Sequence, residues 1–260
     1  MIGGLFAGEH YKDMTTPEKL YEGKAKIVYK TEKEQEYLTY YKDDATAFNA
    51  QKKGTIVGKG EVNCTVASAL LQLLEQKNIP THFIAQTSPR EMLVQAVTII
   101  PLEVVVRNIA AGSLCKQTGI ELGTELPFPV VEFYLKNDDL GDPLLTKDRV
   151  KLINVASEEQ VEQLKKYALE INKYLQEFFL QCQIILVDFK LEFGLTSEGD
   201  LILADEISPD TCRFWDAQEQ DQEKKVLDKD RFRRDLGKIE SAYQEVQQRV
   251  LTQIEKLKNS

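Results

Sequence analysis

The segment that most constrains this chain is IILVDFKLEFG at residues 184–194. Apolar and charged residues alternate along it, which predicts a β-strand because successive side chains of a strand point to opposite faces. One face then carries Asp188, Lys190 and Glu192. The other face is wholly apolar and consists of Ile185, Val187, Phe189, Leu191 and Phe193. Alternating charges also suit a solvated sheet surface, so the strand alone leaves the role of this face open.

A second strand is predicted at residues 201–206, after the turn sequence TSEG at 196–199, so the two strands should form a hairpin. This hairpin would place Asp205 and Glu206 near Glu192. Carboxylates that meet across a hairpin repel each other unless a cation lies between them. A magnesium ion would meet this need, and in such sites it usually bridges nucleotide phosphates. Lys190 would then bind a carboxylate or phosphate oxygen of a substrate.

The remaining pattern predicts an α+β fold. Short β-prone runs occur at residues 19–21, 26–29, 37–41, 82–85, 97–100 and 102–106, and an amphipathic helix at 61–77 is ended by Pro80. In the second half, Ser157 and Gln160 form a capping box before a helix with one apolar face. Apolar residues at helical spacing from Ile239 to Ile254 predict a C-terminal helix.

Composition excludes several classes of function. The chain has 260 residues and a formal net charge of −9, which argues against non-specific binding to nucleic acid or to anionic membranes. Neither a membrane span nor a signal peptide is expected. Four widely spaced cysteines predict free thiols in a reducing cytoplasm. Only two distant histidines are present, so carboxylates, lysines and arginines must do any chemistry.

Two further segments could bind anions. In EGKAK at 22–26, a glycine between two β-prone runs allows a close backbone approach, and Lys24 and Lys26 could face a polyphosphate; a solvated basic turn is the alternative. In PLEVVVRN at 101–108, Arg107 ends an apolar strand and could grip a phosphate or carboxylate. The segment AAGS at 110–113, which ends in Ser113, could then open a helix whose N-terminal N–H groups favour anions. Here the alternative is an arginine that extends to solvent and a serine that only caps the helix.

Taken together, these segments resemble the SAICAR synthetase (phosphoribosylaminoimidazole-succinocarboxamide synthase) family. PLEVVVRNIAAGS and LVDFKLEFG are similar to its two signature segments, and YEGKAKIVY is similar to its phosphate loop. DEISPDTCRFWD and DKDRFRRDLG match its later blocks. The resemblance runs in the family's order from about Lys19 to the C-terminal helix.

The resemblance implies a two-lobed α+β fold related to ATP-grasp and kinase-like architectures, with antiparallel sheets and flanking helices. It implies an N-terminal extension at residues 1–18 and an ATP-binding lobe at 19–108. Residues 109–260 would form a C-terminal lobe that carries substrate and metal residues. ATP would lie between the two lobes.

The resemblance also implies a reaction and a set of site residues. The enzyme would join L-aspartate to the carboxylate of an aminoimidazole ribonucleotide, using ATP and Mg²⁺. Nucleotide contacts would come from Lys24, Ala25, Lys26, Glu103 and Val105, and from Glu192 and Asp205, which would also hold the metal. Substrate contacts would come from Arg107, Ser113, Asp188, Lys190, Arg213 and Asp44. Of these, Asp188, Lys190 and Arg107 are the expected catalytic residues.

The implied chemistry agrees with a chain that is nearly free of histidine. ATP would convert the carboxylate to an acyl phosphate, a step that depends on positioning and charge neutralisation more than on acid–base groups. Asp188 could accept the proton of the aspartate amine or only orient the substrate. A small-molecule kinase and a non-catalytic nucleotide-binding module are the competing interpretations. The expected partners are small molecules and, as a possible homodimer, a second copy of the chain.

Overall fold

The computed structural model describes residues 18–47 and 51–259. In chain order the strands are β1 (Lys19–Glu22), β2 (Lys26–Lys30), β3 (Glu36–Tyr41), β4 (Asp44–Ala47), β5 (Lys52–Thr55), β6 (Phe83–Ser88), β7 (Glu91–Gln95), β8 (Thr98–Ile109), β9 (Glu125–Leu135), β10 (Leu144–Leu145), β11 (Ile184–Leu195), β12 (Leu201–Ala204) and β13 (Cys212–Asp216). The helices are α1 (Lys59–Glu75), α2 (Ser113–Thr118), α3 (Lys147–Leu152), α4 (Glu158–Gln181), α5 (Asp230–Arg233) and α6 (Ile239–Lys258), with a 3-10 turn at Asp138–Leu140.

The strands form antiparallel sheets, as the α+β prediction requires. The order β1-β2-β3-β7-β6 makes a five-stranded sheet, and β4 pairs with β5 alone. A six-stranded sheet has the order β10-β9-β8-β11-β12, with β13 also paired to β11. Helix α1 packs against β3, β6 and β7, and α4 packs across β8, β9 and β11. The strand that dominates the sequence pattern is therefore the centre of the larger sheet.

Several local predictions are confirmed. The hairpin of β11 and β12 forms, with Glu192 opposite Ala204. Both hydrogen bonds of the capping box are present at the start of α4, between Ser157 and Gln160. The predicted runs at 97–100 and 102–106 are one strand, β8. Pro101 is tolerated there because the register of β8 against β11 shifts in this region, between Glu192 and Gly194 of β11.

The predicted faces of β11 need one correction. The sequence groups Ile185 and Val187 with Phe189, but only Phe189 lies in the main core; the other two pack in a small separate cluster with Ala111 and Trp215. The register of β11 against β13 shifts between Leu186 and Asp188. At such a bulge the alternation of inward- and outward-facing side chains reverses. The apolar face that a strict period of two predicts therefore does not continue from Phe189 to Val187 and Ile185.

The division between the sheets falls earlier than the predicted lobe boundary. Strand β8 pairs with β9 and β11, so residues 98–108 already belong to the six-stranded sheet. The lobes at 19–108 and 109–260 stay a prediction, and most of the predicted extension at 1–18 lies outside the described residues. Across residues 18–47 and 51–259, none of the helices has the length and apolar character of a membrane span.

Candidate active site

A cleft of about 330 Å³ opens beside the charged face of β11. Strands β8, β11 and β13 supply one wall, and the β1–β2 loop and the segment after β13 supply further lining. Among the residues that line it are seven predicted from sequence: Lys24, Glu103, Val105, Arg107, Asp188, Lys190 and Arg213. The structure therefore brings residues from most of the predicted segments to one place.

Asp188 lies between two arginines from the neighbouring strands. The strand register sets it opposite Arg107 on β8 and Arg213 on β13. Nη1 of Arg107 donates to Oδ2 of Asp188 at 2.9 Å, and Nη1 of Arg213 reaches Oδ1 at 3.0 Å and Oδ2 at 2.8 Å. Burial opposes both guanidinium charges, but the Asp188 carboxylate keeps the pKa of each arginine above its ordinary value. The three groups form one charged unit, in which Arg107 and Asp188 are buried and Arg213 is half-buried.

Arg107 is held from four sides. Its Nε donates to Oε2 of Glu132 at 2.7 Å, and its Nη2 donates to Oγ of Ser113 at 2.8 Å and Oη of Tyr134 at 3.2 Å. Only 3% of Arg107 is exposed, so the alternative in which it extends to solvent is wrong. Ser113 is the first residue of α2 and follows the N-cap Gly112, so it does not cap the helix either.

Gly112 allows the close approach of Arg213. Its φ is +58°, and a Cβ at this position would lie 2.5 Å from Nη2 of Arg213. A larger residue would therefore meet both backbone strain and the guanidinium group. The glycine of the AAGS segment is therefore needed because the absence of a side chain leaves room for the guanidinium group of Arg213 at the cleft.

A second charged group, which we call the lysine–carboxylate cluster, consists of Lys26, Lys136, Lys190, Glu103, Glu192, Asp205 and Glu206. Nζ of Lys190 lies 2.6 Å from Oε1 of Glu192, 2.9 Å from Oε1 of Glu103 and 3.6 Å from Oδ2 of Asp205. Lys136 contacts both oxygens of Glu192 at 2.6 Å. Lys26 forms ion pairs with Asp205 and Glu206. Lysines thus offset the carboxylate repulsion that the hairpin creates.

The fold positions these carboxylates by strand pairing. Glu192 stands directly opposite Glu103 on β8. On its other side β12 ends at Ala204, earlier than the predicted residue 206, because Asp205 adopts a left-handed backbone with φ +63°. Burial alone would raise the pKa of Asp205, but the charges of Lys26 and Lys190 hold it well below its usual range. Asp205 is therefore ionised at neutral pH.

Glu192 and Asp205 suit a magnesium ion that is shared with a ligand. Among residues 18–47 and 51–259, no group of three or more His, Cys, Asp and Glu side chains is arranged to hold a metal alone. Magnesium usually takes only one or two carboxylates from the protein and completes its shell with phosphate oxygens and water. Both carboxylates face the same ammonium group, that of Lys190, so they can face a shared cation.

The predicted residues of the β1–β2 loop and of β4 are placed differently. Nζ of Lys24 lies 2.5 Å from Oδ1 of Asp138 at the rim of the cleft. The backbone carbonyl of Ala25 accepts a hydrogen bond from the backbone N–H of Lys42 at 2.8 Å. The side chain of Asp44 is 58% exposed and pairs with Lys42 at 3.0 Å. Asp44 and Ser113 are the predicted substrate residues that are absent from the cleft lining, although Ser113 is hydrogen-bonded to Arg107, which lines it. The predicted metal residues Glu192 and Asp205 are likewise reached through a lining residue, Lys190.

Sequence reasoning missed several charged residues of the cleft. Asp210, Lys229 and Arg233 line it, and Lys136 reaches Glu192 from the turn after β9. The first three lie in the segments DEISPDTCRFWD and DKDRFRRDLG, so the resemblance was the signal that could have found them. Lys136 follows a strand that the sequence pattern did not predict.

An α+β fold with a lysine–carboxylate cluster beside two arginines that share a buried aspartate defines an enzyme cleft for phosphorylated, anionic ligands. Comparison with known proteins identifies which enzymes share it. The family model described as SAICAR synthetase matches residues 19–250, and the chain belongs to the SAICAR synthetase family.

Relatives and solved structures agree with this assignment. The chain is 66% identical over 243 residues to the phosphoribosylaminoimidazole-succinocarboxamide synthase of Picosynechococcus sp., covering 94% of this chain and 97% of the relative. The chain is 62% identical over 242 residues to the synthase of Nostoc sp., and the match covers 93% of this chain and 99% of the relative. The crystal structure of the Ehrlichia chaffeensis synthase superposes with a TM-score of 0.86 at 45% identity, covering 90% and 98%. A SAICAR synthetase (Type-2) in complex with ADP superposes with a TM-score of 0.84 at 44% sequence identity, and the match covers 88% of this chain and 96% of that chain.

Proposed function

We propose that this protein joins L-aspartate to the carboxylate of 5-amino-1-(5-phosphoribosyl)imidazole-4-carboxylate in purine biosynthesis. ATP is converted to ADP and phosphate, and the product is SAICAR. The observation that carries the proposal is one cleft that is lined by Arg107, Asp188 and Arg213 and also by two members of the lysine–carboxylate cluster, Glu103 and Lys190. Family membership and the relative with bound ADP support the choice of reaction and of nucleotide.

The reaction proceeds in two displacements. An oxygen of the imidazole carboxylate attacks the γ-phosphorus of ATP, and ADP leaves, so the carboxylate becomes an acyl phosphate. The amine of L-aspartate then attacks the acyl carbon, the C–N bond forms, and phosphate leaves with the electron pair of the C–O bond. The amine loses one proton in this second step. Positioning and charge neutralisation dominate both displacements.

Nucleotide binding is assigned to the β1–β2 loop, β8 and the lysine–carboxylate cluster. Lys24 and Lys26 would bind the ATP phosphates together with the backbone at Ala25. Glu103 and Val105 on β8 would line the adenine side. Glu192 and Asp205 would hold Mg²⁺, which when bound supplies positive charge between the phosphate oxygens. Lys26 and Lys190 bring positive charge to the same two carboxylates.

Substrate binding is assigned to Arg107, Ser113, Lys190 and Arg213. Guanidinium groups suit the phosphate and carboxylate of the imidazole ribonucleotide. Asp188 accepts hydrogen bonds from both arginines on its carboxylate oxygens, so its role in this proposal is to orient them and the substrate amino group, and not to take the proton. Asp44 would have to leave Lys42 to reach a ligand.

Phosphate release tests the reaction directly. Purified protein is supplied with ATP, Mg²⁺ and the imidazole carboxylate, with and without L-aspartate. We expect phosphate release and an ultraviolet absorbance change that both require L-aspartate. ATP turnover that yields a stable phosphorylated product without aspartate would support the small-molecule kinase instead. If aspartate changes neither signal, the ligase proposal fails.

The metal assignment has its own test, Glu192→Gln. This variant removes one of the two negative charges, those of Glu192 and Asp205, that would hold Mg²⁺, while it preserves side-chain size. Activity should therefore fall by about 100-fold or more at limiting Mg²⁺. The fold should be retained by circular dichroism. Glu198→Gln, an exposed glutamate in the turn of the same hairpin, is the matched control. Unaltered magnesium dependence in Glu192→Gln would remove Glu192 from the metal site.

A cytoplasmic location and a homodimer complete the proposal. All four cysteines are unpaired thiols, and three of them are buried, which suits a reducing compartment. Sedimentation equilibrium of the purified protein tests the homodimer, which predicts twice the chain mass of 29.7 kDa.

A further inference from the structure

The C-terminal helix α6 reaches the cleft through one buried tyrosine. Oη of Tyr243 donates a hydrogen bond to Oδ1 of Asp210 at 2.7 Å. Only 1% of Tyr243 is exposed, and its ring packs in the main core. The phenol thus joins a helix outside the cleft to an aspartate that lines it.

The second oxygen of Asp210 faces two ammonium groups. Nζ of Lys59, on α1, donates to Oδ2 at 2.9 Å, and Nζ of Lys229 lies 3.5 Å from the same atom. The side chain of Asp210 is 4% exposed. Burial alone would raise its pKa, but the charges of Lys229 and Lys59 keep that pKa well below the usual range. Tyr243 therefore holds one oxygen of a charged carboxylate while the other faces the lysines.

Lys229 is the lysine of this pair that borders the cleft. It lines the cleft with Asp210 and Arg213, whereas Lys59 is 1% exposed and is not among the lining residues. The backbone N–H of Lys229 donates to the carbonyl of Pro209 at 3.1 Å, so main chain and side chain both attach it to the 208–211 turn. The orientation of Asp210 then decides where the Lys229 ammonium group points.

We propose that Tyr243 is a positioning residue, which orients Asp210 and thereby places the ammonium group of Lys229 in the cleft. The inference rests on the proposed function. Without the phenolic hydroxyl, Oδ1 of Asp210 loses its donor and the carboxylate can rotate, so Lys229 loses a fixed partner. Lys229 lines the cleft together with Arg213, which the proposed function assigns to the imidazole ribonucleotide. We therefore expect the effect to fall on the two substrates other than ATP.

The first test is Tyr243→Phe, which keeps the buried ring. We expect KM for the imidazole carboxylate and for L-aspartate to rise by about 5- to 20-fold, the range of one lost hydrogen bond to a charged group, while KM for ATP changes less than about two-fold. Tyr167→Phe is the control, since that ring stacks on Phe193 in the core on the other side of β11. Equal kinetics in wild type and Tyr243→Phe would overturn the proposal, and so would KM values that are unchanged or raised equally for all three substrates.

A double-mutant cycle tests the route through Lys229. If Tyr243 acts by placing Lys229, then Tyr243→Phe should have no further effect on kcat/KM in a Lys229→Met background. Additive losses would show that the tyrosine acts otherwise. If circular dichroism shows that Tyr243→Phe folds poorly, Asp210→Asn replaces it. This variant should raise KM for the imidazole carboxylate and for L-aspartate but not for ATP. Unchanged KM values in Asp210→Asn would also overturn the proposal.

Failure of this inference is distinguishable from failure of the proposed function. A wild-type protein without aspartate-dependent phosphate release contradicts the ligase assignment. An active wild type whose Tyr243→Phe variant is equally active contradicts only the positioning role.

Discussion

The ammonium group of Lys190 lies 2.6 Å from Oε1 of Glu192, two residues further along the same strand. Lys136 contacts the same carboxylate at 2.6 Å, so both oxygens of Glu192 already carry a cationic partner. A magnesium ion must displace these lysines, whereas ATP phosphates would attract them away. Under the proposed function we therefore expect the site to accept metal and nucleotide together.

Magnesium binding should depend on nucleotide. By isothermal titration calorimetry we expect Mg²⁺ to bind at least about ten-fold more tightly with ADP present than without it, a typical size for coupling between two ligands. Lys136→Met removes one competing cation and should raise the affinity for Mg²⁺ alone. Equal Mg²⁺ affinity with and without ADP would contradict this arrangement.

Asp188→Asn should separate orientation from proton transfer. The neutral amide cannot hold both Arg107 and Arg213 as a carboxylate does, so kcat/KM for the imidazole substrate should fall by about 100-fold, roughly 3 kcal/mol. If Asp188 only orients, the pH dependence of the residual kcat keeps the wild-type shape. A lost limb in that profile would identify Asp188 as the proton acceptor. Asp200→Asn, at an exposed position, is the control.

Gly112→Ala should weaken the substrate side of the cleft. Both Gly112 and Gly119 have positive φ, +58° and +75°. Gly119 is in the left-handed α region, where alanine should cost about 1 kcal/mol, whereas Gly112 has ψ −127°, a conformation largely restricted to glycine, where alanine should cost about 1–3 kcal/mol. Only at Gly112 does the new Cβ meet Arg213; at Gly119 nothing lies within 4 Å. Chemical denaturation and steady-state kinetics should therefore show destabilisation in both variants but a raised KM for the imidazole substrate only in Gly112→Ala. Equal KM values would contradict the contact.

His82 should make stability depend on pH. Burial, together with the charge of Lys26, lowers the pKa of His82 from 6.5 to about 4. The unfolded chain then binds a proton that the folded chain does not, so the free energy of unfolding decreases as pH falls from about 6.5 to about 4, by up to about 3 kcal/mol. Urea denaturation at pH 7 and pH 5 measures this slope.

The matched variant for that measurement is His82→Gln, which cannot titrate. Asp228, whose pKa burial raises to about 7, contributes the opposite slope over the same range, so the difference between wild type and variant isolates His82. Parallel pH curves for the two proteins would show that His82 does not titrate in this way.

The sequence predicted the features that depend on neighbouring residues. The alternation of β11 from Asp188 to Phe193, its turn to β12 and the capping box of α4 are confirmed, because period and capping are local properties. The predicted apolar face of β11 is wrong at Ile185 and Val187, which do not lie in the main core with Phe189. A register shift against β13 reversed the alternation there, and a bulge depends on the partner strand.

By itself, the sequence determined the α+β class, the central charged strand and, through its motifs, the family. Only the tertiary structure decided which charges meet. Lys26 and Asp205 are 179 residues apart, and Lys59 and Asp210 are 151 apart. Neither pair leaves a periodic signal, since side chains that are remote in sequence come together only when sheets and helices pack. The partners of Glu192, Asp188 and Asp210 were set at that level, by strand register and by the burial that makes an unpaired charge costly.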